Sequence, residues 1–171
     1  MALSPERAAS EEAAKEAALR ILARGPRTEH EVGERLLARG FDQNAVERAV
    51  QRLRRVSLLD DRAFTRSFLR TELTRAPQGR RLLEMKLKRR GVPPAIVQEI
   101  GQLMDEDPDL TERTLSTEEG RAVAALTQLK RRSARLTPEV YRRRMEQALA
   151  RRGFAWELIR DLLGEEAEGT V

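Results

Sequence analysis

Apolar residues recur along this chain at intervals of three and four, the spacing that puts them on one face of a helix. Ala14, Ala17, Ala18, Ile21 and Leu22 make the first such face. Gly25-Pro26 ends it, because glycine tolerates a left-handed cap and proline cannot continue a helix. Thr28 opens the next helix. With Glu31 it has capping-box spacing, and Val32 and Leu36 follow on one side before Gly40. Asp42 starts a third, striped by Ala45, Val46, Ala49, Val50 and Leu53. Residues 13–54 therefore read as one three-helix unit. Val56, Leu58 and Leu59 are expected to form an apolar turn tucked under the following helix.

The same order of signals returns. Asp60 or Asp61 caps a helix carrying Phe64 and Phe68, Pro77 breaks it, and Gly79 opens a helix with Leu83 and Leu87 inward. Gly91 closes that helix, and Pro93-Pro94 begins another with Ile96, Val97, Ile100, Leu103 and Met104. This is a second unit, residues 55–104. Residues 105–116 are acidic, contain Pro108 and lack periodicity, so they read as a linker. A third unit, residues 117–163, carries Val123, Leu126 and Leu129, then Tyr141, Met145 and Leu149, then Trp156, Leu158, Ile159, Leu162 and Leu163. Aligning Gly40, Gly91 and Gly153 superposes Leu36, Leu87 and Leu149, then Arg39, Arg90 and Arg152, then Phe41, Val92 and Phe154. No stretch alternates as a strand would. Short helical units with little core of their own bury their faces on one another. The expected fold is all-α, with three tandem three-helix repeats forming an elongated curved body.

Charge adds a functional direction. The chain has a net charge of +5. Gly79 to Gly91 holds Arg80, Arg81, Lys86, Lys88, Arg89 and Arg90 against Glu84 alone. A second basic stretch includes Arg131, Arg132, Arg142, Arg143 and Arg144. Such runs suit a polyanion or an acidic surface, and these residues are the expected contacts. Non-specific binding of single- or double-stranded DNA is expected through them. Catalysis has little to work with. There is no cysteine, His30 has no second ligand, and Asp60-Asp61 have no third acid at helical spacing. No Gly-rich phosphate loop is present, so neither an enzyme nor a cofactor or metal is expected. No apolar window reaches the roughly 18 residues of a membrane span, and the N-terminal stretch lacks the core of a signal peptide. A cytoplasmic monomer is the expectation.

Leu58-Leu59-Asp60-Asp61-x-x-Phe64, followed by Gly79-x-x-x-Leu83-x-x-x-Leu87-x-x-x-Gly91-Val92, resembles the signature of the RecX family, the regulators of bacterial RecA recombinase. Glu31-Val32-x-x-x-Leu36-x-x-x-Gly40-Phe41 fits the family's first repeat, and Leu149, Gly153 and Phe154 correspond in the third. The resemblance implies tandem three-helix repeats that bind the RecA filament on DNA. It further implies inhibition of ATP hydrolysis, strand exchange and co-protease activity, damping recombination and the SOS response. It transfers the signature residues as determinants of fold, not as contacts. A competing reading is a direct DNA binder with helix-turn-helix-like repeats, a transcription or nucleoid-associated regulator. That reading needs base-reading side chains on a recognition helix. Ala45 to Leu53 is a core stripe, and Pro94 to Met104 has no such cluster. Single-strand stacking finds no free aromatic either, with Phe41, Phe64, Phe68 and Phe154 assigned to the core.

Overall fold

The computed structural model describes residues 3–131 and 137–168, with side chains as far as residue 164. Among the described residues there are twelve helices and no strand. After α1 (Pro5–Ala8), the first repeat holds α2 (Glu11–Leu22), α3 (Glu29–Leu37) and α4 (Gln43–Arg55). The second holds α5 (Asp61–Arg75), α6 (Arg80–Arg89), α7 (Pro94–Gln98) and α8 (Ile100–Asp105). Then come α9 (Pro108–Glu112) and the third repeat, α10 (Glu118–Lys130), α11 (Pro138–Arg151) and α12 (Trp156–Glu168).

The starts of these helices follow from local chemistry. Ser10 accepts from the Ala13 N–H at 3.2 Å. Thr28 accepts from the Glu31 N–H at 3.1 Å while Glu31 accepts from the Thr28 N–H at 3.3 Å, completing the capping box. Thr117 accepts from the Gly120 N–H at 3.1 Å. Each bond satisfies an amide that the first helical turn leaves without a partner.

The chain forms two compact units, Met1–Thr65 with Leu87–Val97, and Arg66–Lys86 with Gln98–Val171. The division does not follow the repeats, because the second repeat contributes to both. In the first unit Ala14, Ala17 and Ala18 pack with Val32, Leu36, Ala45, Ala49 and Leu53, and Leu59 closes the cluster. The small alanines let α2 and α4 approach closely, and the leucines fill the remainder. In the second unit Ala122, Ala125 and Leu126 meet Met145, Leu149, Phe154, Ile159 and Leu163. Each buried leucine or phenylalanine stabilises its unit by roughly 1.5–3 kcal/mol.

Several expectations change. The turn after α4 buries only Leu59, leaving Val56 and Leu58 60% and 54% exposed. The N–H groups of Leu58 and Leu59 both donate to the Leu53 carbonyl, and Ser57 takes a positive φ of 56°. That tight reversal turns the two apolar side chains outward. The helix expected over Pro94 to Met104 breaks into α7 and α8 at Glu99, whose ψ is 1°. The segment expected to be a linker contains α9. Asp107 caps it by accepting from the Asp109 N–H at 3.1 Å, and Leu110 and Leu115 are buried. The N-terminal stretch holds α1, whose Ala8 carbonyl accepts from the Asp42 N–H at 2.9 Å, and Val123, expected on the inner face of α10, is 50% exposed.

Candidate binding surface

The signature residues build a joint that occurs twice. In the first unit the start of α3 meets the glycine turn at the end of α6. The Thr28 hydroxyl donates to the Arg90 carbonyl at 2.6 Å. In the second unit the start of α6 meets the glycine turn between α11 and α12, and the Gly79 N–H donates to the Arg152 carbonyl at 2.8 Å. Thr28 stands twelve residues before Gly40, and Gly79 twelve before Gly91. Arg90 and Arg152 each stand one residue before a glycine. The same position of one repeat therefore engages the same position of the next.

The glycines fit this joint. Gly40, Gly91 and Gly153 have φ of 88°, 73° and 84°, where a side chain is strained. A Cβ on Gly91 would lie 2.5 Å from the His30 Cβ, and one on Gly153 would lie 2.5 Å from both Cβ and N of Leu82. A Cβ on Gly40 would meet nothing within 4 Å.

Asp60 and Asp61 divide the capping work. Asp60 Oδ1 accepts from the Arg62 and Ala63 N–H groups at 2.8 and 2.9 Å, capping its own helix. Asp61 is buried and accepts from the Glu29 N–H at 2.9 Å, so it caps α3 of the preceding repeat. Burial pushes the Asp61 carboxyl up from its ordinary value, with the Glu29 N–H opposing and Asp60 and Glu31 adding to the rise. Phe64 is buried beneath the Arg90 guanidinium, which stands 4.5 Å from the ring centroid. Leu36, Leu83, Leu87 and Leu149 are fully buried, and Phe41 and Phe154 nearly so.

The six cations between Gly79 and Gly91 separate into two sets. Arg90 makes a two-pronged pair with Glu31 at 2.7 and 2.9 Å. Burial acts to raise the Glu31 carboxyl, but the Arg90 hydrogen bonds and charge and the Thr28 N–H outweigh it, so it ends below its ordinary value. Lys86 pairs with Glu72 and donates to Gln78 Oε1 at 2.7 Å. Burial likewise acts to raise Glu72, and its hydrogen bonds from Lys86 and Gln78 win, holding it low. Arg80 pairs with Glu84 at 2.7 Å and donates to the Gln98 carbonyl at 3.2 Å. These three brace the fold. Arg81, Lys88 and Arg89 are exposed.

Of the second group, Arg131 at the end of α10 and Arg142, Arg143 and Arg144 on α11 are exposed. Arg142 pairs with Glu146 at 3.1 Å. Arg132 lies outside the described residues. Arg81, Arg89, Arg131, Arg143 and Arg144 are left with no ion-pair or hydrogen-bond partner among the described residues. Other exposed arginines share that condition among the described residues, Arg24, Arg55, Arg151 and Arg160 among them.

Sequence reasoning missed Arg121. It is 1% exposed, and its guanidinium donates to the carbonyls of Gln78, Leu115 and Ser116 at 2.9, 2.9 and 2.6 Å. Burial lowers its pKa, with Glu118 and Glu119 opposing. It fastens the turn before α10 to the loop before α6. A lone arginine beside Glu118-Glu119 in the first turn of a helix gives no local sign of that role.

Among the described residues no helix is long and apolar enough to cross a membrane, and no group of three or more His, Cys, Asp or Glu could hold a metal ion.

Known proteins share this register. The family models for the first, second and third three-helix domains of RecX match residues 14–53, 60–100 and 117–163. A regulatory protein RecX of Treponema pallidum is 35% identical over 152 residues, covering 89% of this chain and 84% of that protein. One of Chlorobaculum tepidum is 32% identical over 154 residues, covering 88% of each. Among solved structures, RecX from Lactobacillus salivarius matches with a TM-score of 0.73 at 19% identity, over 92% of this chain and 96% of that one, a likeness of fold. Three domain matches in chain order, together with relatives above 30% identity along most of their length, place the chain in the RecX family of regulatory proteins.

Proposed function

We propose that this chain binds the RecA filament on DNA and inhibits its ATPase, strand-exchange and co-protease activities, so modulating recombination and the SOS response. Membership of the RecX family supports the regulatory role. The observation that carries the contact is the set of exposed cations left over once the internal pairs are made. Arg89 is among them in the first unit, and Arg81, Arg131, Arg143, Arg144 and Arg151 in the second. Exposed guanidinium groups suit carboxylates on protomer surfaces and phosphates of the enclosed strand alike. Several modest contacts spread over one chain gain avidity when they engage together. Occupying neighbouring protomers restricts the motion that couples ATP turnover to strand exchange.

The test is RecA ATP hydrolysis on single-stranded DNA, with the chain added after filaments have formed. The parent should inhibit at less than one copy per protomer. Changing Arg81, Lys88 and Arg89 to Gln, or Arg143 and Arg144 to Gln, should weaken inhibition while helicity by circular dichroism stays unchanged. Changing Arg90 or Lys86 instead should lower stability first. Binding of DNA with no inhibition at a stoichiometric dose would move the assignment to the direct DNA-binding reading.

A further inference from the structure

A groove opens in the second unit beside the joint of α6 with the turn before α12. It has a volume of about 340 Å³ and lies between the start of α6 and the turn joining α11 to α12. Leu82, Met85, Phe154 and Trp156 line it, and Arg81 and Arg151 flank it. Trp156 is 48% exposed and Met85 40% exposed. The spacing of Trp156 with Ile159 and Leu163 predicts a place on the inner face of α12, yet only Ile159 and Leu163 are buried.

The charge around the groove is one-sided. Most arginines that face acids in this chain are paired with them. Arg81 and Arg151 have no such partner among the described residues, and no carboxylate lines the groove. Two free guanidiniums beside an apolar hollow call for a ligand with an apolar body and negative flanks. A nucleobase would bring several polar edges to a wall that is mostly aliphatic and aromatic carbon, with the Trp156 indole N–H and the Met85 sulfur as its few uncharged side-chain polar atoms, and unpaired buried polar groups are costly. An apolar side chain has no such edges. Trp, Met and Arg without Lys or acid is also the composition of the energetic centre of protein interfaces.

We propose that the groove bounded by Arg81, Met85, Arg151 and Trp156 is the anchor site for a protein segment that presents an apolar side chain between carboxylates. The side chain fills the hollow against Trp156 and Met85, and the two guanidiniums take the carboxylates. This rests on the filament-binding reading, with the segment supplied by a filament protomer.

The experiment measures binding of the dye-labelled full chain to RecA filaments on single-stranded DNA by anisotropy. Ala150 lines the groove from an exposed position on α11, so Ala150→Trp plugs it without disturbing the core or the charge. Plugging, or Trp156→Ala, should weaken binding by about thirtyfold, the scale of a central interface anchor, and Arg151→Gln by a smaller factor. Circular dichroism checks that each variant is folded. If the parent binds and the plugged chain binds equally well, the groove assignment falls and the filament reading stands. If the parent does not bind filaments, both fall. Trp156 is the one tryptophan of the chain, so its emission reports on the groove alone. Strong quenching by free oligothymidylate would assign the groove to a stacked base and overturn the proposal.

Discussion

Three glycines allow the cost of positive φ to be separated from the cost of lost space. Gly40 has φ of 88° with nothing within 4 Å of an added Cβ. Gly40→Ala should therefore lose only the left-handed penalty, roughly 1–2 kcal/mol. Gly79 is the reverse case. It is absent from the positive-φ positions, yet a Cβ there would stand 2.2 Å from the Gly153 carbonyl oxygen and 2.4 Å from the Phe154 nitrogen. Both obstacles are backbone, so the joint must open, at about 1–3 kcal/mol for an overpacked contact, and the Gly79–Arg152 hydrogen bond weakens with it. Gly153→Ala meets both costs and should lose the sum, about 2–5 kcal/mol. Urea denaturation measures each, followed by Trp156 emission for the second unit and by far-ultraviolet circular dichroism for the first. Gly79 decides the matter, because removing a glycine at a compatible position normally stabilises by about 0.4–1 kcal/mol. A Gly79→Ala variant as stable as the parent, or more so, would refute the close approach of α6 to the turn before α12.

Three further outcomes follow from the internal pairs. A double-mutant cycle on Glu31→Gln and Arg90→Gln, read by urea midpoints, should give a coupling of about 1–2 kcal/mol, as expected for a two-pronged, charge-assisted bond that is partly solvent-screened. Arg121→Met should cost about 2–5 kcal/mol, because it strands the buried Gln78 and Leu115 carbonyls and the half-buried one of Ser116, and Arg121→Lys should rescue little of it; Trp156 emission in urea checks both. Glu31 and Glu72 are held below their ordinary value of 4.5, so their contribution is present above that pH and lost as pH falls through the depressed values. Stability against urea should decline on that acid side, and the Glu31→Gln, Glu72→Gln double variant should show a shallower decline.

The helical plan was legible because it is written locally. Leu36, Leu87 and Leu149 each sit four residues before a glycine, and that spacing alone fixes both an inner face and a helix end. The partition of the α6 cations was not legible. Arg90 and Arg89 look alike in sequence, and only the fold brings Glu31, fifty-nine residues away, onto Arg90. The pair Asp60-Asp61 predicts that one or the other caps the helix they begin, since nothing near Asp61 says that its carboxylate reaches Glu29, thirty-two residues back. The acidic segment hid its helix because α9 has a single turn's worth of apolar anchoring, Leu110, too little to produce a period. Trp156 fits the inward spacing of α12, but it is the first residue of that helix and lies beyond the end of the packed seam.

The joint between successive repeats also bears on how such a chain can change its length. Its two halves are carried at different ends of each copy: a donor where the middle helix begins, and a carbonyl beside the glycine where that helix stops. A duplicated copy therefore arrives with both halves in place and needs no new partner to be invented. Gly79 shows how loosely the donor half is specified, since a bare backbone amide does there what the Thr28 hydroxyl does one copy earlier. Selection on such a chain can act on the number of copies first and refine each afterwards, with the outer faces left free to diverge toward whatever each copy touches.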